Sequence, residues 1–109
     1  MSGTLLVRAR DLPDAPLDAA AQFLGEFAPQ IRGSDARNVV GSFSPAGHEH
    51  DSWRRAAIEE LAREAAPDGR VNALVTEDDA GEAAQAVLDY LAAAPGVTGQ
   101  VLATRAAKA

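Results

Sequence analysis

Few side chains in this sequence have the type and spacing to do chemistry. "HEHD" (His48–Asp51) sets four potential metal ligands in a row, and imidazole with carboxylate is a donor set that suits zinc and related ions. Four consecutive loop residues cannot all face one ion, and the sequence offers no second ligand cluster. A solvated loop ending in a helix cap at Asp51 or Ser52 accounts for the same residues. "EDD" (Glu77–Asp79) could pair carboxylates for acid–base work, yet acids also favour the positive end of a helix dipole. Thr76, three residues ahead of Asp79, has the form of a capping box. Arg8 and Arg10 alternate along a strand, where they could hold a phosphate or face solvent and blunt an exposed sheet edge. Arg54 and Arg55 suggest a solvated helix face, paired with Glu59. Trp53, the only tryptophan, fits an interface anchor or a core residue. Cysteine is absent, which excludes disulfides, thiolate zinc sites and a thiol nucleophile.

The elements that must position these groups follow from the apolar pattern. Thr4–Arg10, Ala36–Phe43, Arg70–Val75 and Gly99–Arg105 are apolar runs rich in β-branched residues and are expected to be strands. Leu17–Ile31 is expected to be a helix, with Leu17, Ala20, Ala21, Leu24, Ala28 and Ile31 on one apolar stripe and Phe23 and Phe27 beside it. Pro16 suits its first turn; Pro29 weakens its last, and Gly33 ends it. A second helix is expected over Trp53–Ala66, with Trp53, Ala57, Leu61 and Ala65 on one face. A third is expected over Asp79–Ala94, with Ala83, Val87, Tyr90, Leu91 and Ala94 together. The terminal "AAKA" should fray. Strand and helix alternate with short connections, which implies crossover units. The expected fold is α/β: one domain over residues 1–109, with a parallel sheet of about four strands and about three helices.

Composition narrows the function classes. The chain has 109 residues, which suits one domain rather than two. A net charge of −6, with Lys108 as the only lysine, argues against a nucleic-acid footprint. No stretch approaches the roughly 20 apolar residues of a membrane span, and the N-terminus lacks the pattern of a signal peptide. A soluble, cytoplasmic domain is the expectation. Much of the apolar content is alanine, which buries little area per residue, so the core should be thin and association an attractive source of stability.

Several stretches resemble one family, the short-chain dehydrogenases/reductases. "LAREAAPDGRVNALV" (Leu61–Val75) is similar to that family's "LARELAPDGIRVNAV" passage from helix to strand. "VLDYLAAAPGVTGQVL" (Val87–Leu102) resembles its last helix and strand, where "VTGQ" recurs. "NVVGSFSPAG" (Asn38–Gly47) resembles the strand bearing the catalytic serine, often "IVNISSVAG", and "LLVRARD" (Leu5–Asp11) the strand reading "LVNNAG". The resemblance spans nearly the whole chain but only the second half of a typical member. It implies a truncated, degenerate member: the C-terminal half of a three-layer Rossmann-like fold.

The departures imply lost chemistry. Such enzymes bind a nicotinamide dinucleotide on a glycine-rich turn, and no G-x-G-x-x-G occurs here. Arg8, Ala9, Arg10 and Asp11 stand where the family has asparagines, alanine and glycine close to the cofactor. The family's proton donor is a tyrosine with a lysine four residues on; here the only tyrosine is Tyr90 and the only lysine Lys108. Ser44 matches the catalytic serine, but without partners it is expected to be vestigial. The resemblance therefore implies no catalytic and no cofactor-binding residue, and NAD or NADP only if a partner chain completes the site. Thr4–Arg10, mid-sheet in the family, should become an edge. The family assembles through the helices matching Leu17–Ile31 and Trp53–Ala66, so Leu17, Leu24, Trp53, Ala57 and Leu61 are candidate interface residues. The expected role is an assembly or regulatory module, as a homodimer or with a full-length reductase. The alternative is one component of an NAD(P)-dependent oxidoreductase.

Overall fold

A computed structural model describes residues 3–104. Four parallel strands lie side by side in chain order: β1 (Thr4–Ala9), β2 (Asn38–Phe43), β3 (Arg70–Val75) and β4 (Val101–Ala103). Their register aligns Thr4 with Asn38 and Arg70, and Ala73 with Val101. The expected four-stranded α/β half-sheet is what forms. Among the described residues β1 pairs only with β2 and is therefore an edge, as expected from its changed surroundings. The last strand is shorter than its pattern suggested, and Arg105 and the "AAKA" tail lie outside the described residues. Among the described residues no helix is long and apolar enough to cross a membrane.

Side chains alternate across the sheet and divide it into two cores. One face buries Val7, Ala9, Val39, Phe43, Val71 and Ala73 under the first helical segment and the long helix α3 (Asp51–Ala65). The other packs Val40 and Leu74 against α4 (Glu82–Ala93) through Ala84 and Leu91. In α4 the sequence pattern is displaced: Tyr90 is exposed, and Val87 and Leu88 are half-buried. In α3 it is displaced by one residue as well, because Arg54, Ile58, Leu61 and Ala62 form the buried stripe. The family-like "RVN" stretch has a structural task. Arg70 donates to the Leu91 and Ala94 carbonyls, and Asn72 holds the loop before β4 through Val97 and Gln100.

The first helix deviates most from its pattern, and the cause is local. It runs as α1 (Pro16–Gln22), a π-helical turn (Phe23–Phe27) and α2 (Ala28–Arg32), ending at Gly33. The wide turn sends the Ala28 amide to Phe23 O, five residues back. Pro29 follows at once; it has no N–H, and its ring would crowd the carbonyl four residues earlier in a regular helix. The extra residue rotates everything before it by about 100°, one residue's turn. Ala19 and Phe23 consequently replace Ala20 and Leu24 on the face that continues as Ala28 and Ile31. Leu17 and Leu24 are left outside, 84% and 50% exposed.

Candidate functional site at the C-terminal edge of the sheet

Open parallel sheets bind ligands beyond the carboxyl ends of their strands, and the charged and polar groups converge there in two arrangements. The first is closed. Ser42 and Thr76 point to the same sheet face, both buried, and the Arg10 guanidinium reaches across them. Its Nη1 donates to Ser42 Oγ at 2.9 Å and to the Phe43 carbonyl at 3.3 Å. Its Nη2 donates to the carbonyls of Thr76 at 2.6 Å and Glu77 at 3.0 Å. Ser42 in turn donates to Asp79 Oδ2 at 2.9 Å, and Arg8 Nε lies 3.2 Å from the same oxygen. Burial alone would raise the Asp79 pKa. The Ser42 hydroxyl and the two arginines outweigh it, so the carboxyl is held below its ordinary value. Asp11 turns the chain out of β1 in the left-handed region, φ 62°, which aspartate tolerates better than most residues.

This corrects two expectations. Arg10 is not solvent-facing at the edge; it ties β1 to the ends of β2 and β3. Asp79 is not part of a capping box, because α4 begins at Glu82 with Gly81 before it and no side-chain cap. Asp78 instead accepts from the Ala80 amide at 3.0 Å and shapes the turn.

The second arrangement, on the helix side, is open. Arg54 was expected on a solvated face, yet it is only 7% exposed. Its guanidinium carbon sits 4.6 Å over the Phe43 ring and 5.8 Å from that of Trp53. Trp53 itself is half-buried among Phe23, Phe43 and His50, with ring centroids 5.7, 5.6 and 6.3 Å away. Among the described residues Arg54 has no hydrogen-bonding or ion-pair partner, and its Nε is fully buried without an acceptor. Burial pushes its pKa below the ordinary arginine value, with Asp51 acting against the shift. Arg54 lines two cavities. The larger, about 630 Å³, lies between the start of α3, the ends of β3 and β4 and the start of α4. The smaller, about 250 Å³, contains Ser44, Asp11 and His50.

The histidine run is resolved by its contacts. His48–His50 is a 3-10 turn leading into α3, and neither Asp51 nor Ser52 caps that helix through its side chain. Trp53 Nε1–H can only donate, and it does so to His50 Nδ1 at 2.9 Å. His50 Nε2 therefore carries the hydrogen and donates to the Asp14 carbonyl at 3.0 Å. With both nitrogens engaged, His50 is neither a free base nor a ready metal ligand. Among the described residues no group of three or more His, Asp or Glu is placed to hold a metal ion.

The candidate interface residues do not share a surface. Leu17 and Leu24 are exposed, Trp53 and Ala57 are half-buried against the main core, and Leu61 is inside it at 3% exposure. Ser42 was not singled out by the sequence, and Asp79 and Arg54 were read there as part of a helix cap and a solvated helix face. For Arg54 a signal existed: it falls four residues before Ile58, on the stripe that Leu61 and Ala62 continue.

A comparison with protein families identifies a match to the one described as "Short chain dehydrogenase-like protein" over residues 7–104. No curated protein and no solved structure matches the chain.

Proposed function

The chain belongs to the short-chain dehydrogenase-like family; from that premise we propose that it is a non-catalytic member serving as an assembly or regulatory module. The observation that carries this reading is the position of Arg10. Where the family keeps slim residues close to the cofactor, this guanidinium fills the strand ends and occupies four acceptors. Tyr90 supports the same reading, since it is exposed on α4 and lines neither cavity at the sheet edge. Two features favour association. Among the described residues β1 is paired on one side alone, and its other side is a natural template for another strand. Leu17, Ala21 and Leu24 form an exposed apolar stripe on the first helix at the spacing that packs helices together. A second copy of the chain, or a full-length reductase, is the expected partner.

The test is light scattering and native mass measurement of the purified chain beside Leu24→Glu. The wild type is expected to be oligomeric, and the variant monomeric with an unchanged circular-dichroism spectrum. Leu61 is unsuitable for this purpose, because a charge in the core would unfold the chain. A wild type that stays monomeric in the tens-of-micromolar range, where typical specific interfaces are well populated, would remove the assembly reading.

One observation favours the alternative of an oxidoreductase component completed by another chain: Ser44 lines the 250 Å³ cavity beside Arg54. In that case Ser44→Ala abolishes reductase activity of the assembled complex; for an assembly module it changes nothing.

A further inference from the structure

We propose that Arg54 is the anion-binding group of the 630 Å³ cavity and takes the carboxylate of a small monocarboxylic ligand with an apolar body. This does not depend on the assembly reading above. Three observations converge on it.

The first is the state of Arg54 itself. It is more than nine-tenths buried, has no ion-pair or hydrogen-bonding partner among the described residues, and lines the cavity. A buried cation normally has a partner, because desolvation is costly. Asp51 is a single turn away, yet it is not within ion-pairing distance. The Phe43 and Trp53 rings, 4.6 and 5.8 Å from the guanidinium carbon, offset part of that cost but supply no acceptor for its N–H groups. A planar fork of donors matches a carboxylate.

The second is the start of α4. Gly81, Glu82 and Ala83 line the same cavity, and no side chain caps this 12-residue helix. Its first amides and dipole favour an anion at that end.

The third sets the charge and the body of the ligand. Asp51, Glu77, Asp78 and Glu82 stand around the cavity with Arg54 and Arg55. Acids outnumber bases, so a dianion such as phosphate meets repulsion that a monoanion seated on Arg54 largely avoids. Pro45, Val75, Val101 and Ala103 supply apolar wall, which suits a short aliphatic or aromatic chain.

The test compares hexanoate with its neutral isostere hexanamide on the full chain, by calorimetry and by the amide and Arg Nε signals in NMR. Hexanoate is expected to bind saturably, and hexanamide about ten-fold more weakly or worse, the loss of one charge-assisted fork. Arg54→Gln is expected to weaken hexanoate by a similar factor, while Arg63→Gln, an exposed charge on the same helix away from the cavity, changes it less than about three-fold. The acid–amide comparison uses the unaltered chain, so it decides the matter even if Arg54→Gln folds poorly. Equal binding of acid and amide overturns the proposal, as does equal binding by wild type and a folded Arg54→Gln. So do tighter binding of inorganic phosphate and the absence of saturable hexanoate binding up to about 10 mM, beyond which affinity has no specific meaning.

Discussion

Arg10 and Arg54 stand at the same rim of the sheet and are treated in opposite ways. Arg10 meets four acceptors and lies beside Ser42 and Asp79, whose carboxylate is also held by Arg8. Arg54 is more deeply buried, has two aromatic rings for company and meets no acceptor among the described residues. The difference separates structure from availability. A charge whose four terminal N–H groups are all engaged holds the fold together and has little left to offer a ligand. A charge buried without a partner stabilises little by itself and gains from whatever anion reaches it. The β1 side of the rim is the first kind of place, and the helix side holds the second.

Replacing both arginines by methionine, which keeps much of the side chain's length, is the direct way to break this comparison. Arg10→Met removes the donor from four acceptors that join three strand ends and leaves Asp79 with less positive charge. A loss of about 3–4 kcal/mol is expected from several charge-assisted hydrogen bonds in a partly buried site, measured by urea unfolding at neutral pH. A loss below about 1 kcal/mol, the worth of one ordinary bond, would mean that the closed arrangement does not stabilise the fold.

Asp79→Asn sharpens the same point through pH, with an expected cost of about 1–2 kcal/mol at pH 7 for weakening a charge-assisted cluster. Because the folded carboxyl titrates below its ordinary value, the native state binds fewer protons than the unfolded chain near pH 4. The stabilisation from Asp79 is therefore present above about pH 4 and lost as pH falls through its folded value. Urea midpoints taken between pH 7 and pH 3 should fall for the wild type and fall less for Asp79→Asn. Parallel curves would show that some other carboxylate governs the acid limb.

The order of elements was legible in the sequence because strands and helices here follow their periods closely enough. "RVNALV" forms the strand expected of it, residue for residue. The first helix was legible as a helix but not by face. Its period is interrupted by the π-helical turn ahead of Pro29, and a one-residue slip exchanged Leu24 for Phe23. The closed arrangement was beyond local pattern altogether: Arg10 finds its acceptors 32 to 67 residues further along the chain. A capping box and a carboxylate lock present the same residues, and only the register of three strands decides between them. For Arg54 the difficulty was of another kind. An arginine on a core stripe contradicts the usual rule of burial, so the neighbouring phase through Trp53 and Ala57 fits the apolar pattern better.

Arg54→Met carries the smallest expected effect and the most informative sign. A buried unpaired cation costs free energy on folding, whereas methionine would place apolar atoms against Phe43 and Trp53 in much the same volume. Replacing buried charges by packed apolar groups is commonly neutral or stabilising. The urea midpoint should therefore stay within about 1 kcal/mol of wild type or rise, the range expected for a near-isosteric core exchange, while Arg10→Met falls well below it. A loss above about 2 kcal/mol would assign Arg54 the full strength of a desolvated cation–π contact. The two arginines would then both be structural, and the asymmetry between the two sides of the rim would vanish. A neutral or positive result leaves a charge that the fold retains without needing it, at the mouth of a cavity where an anion can reach it.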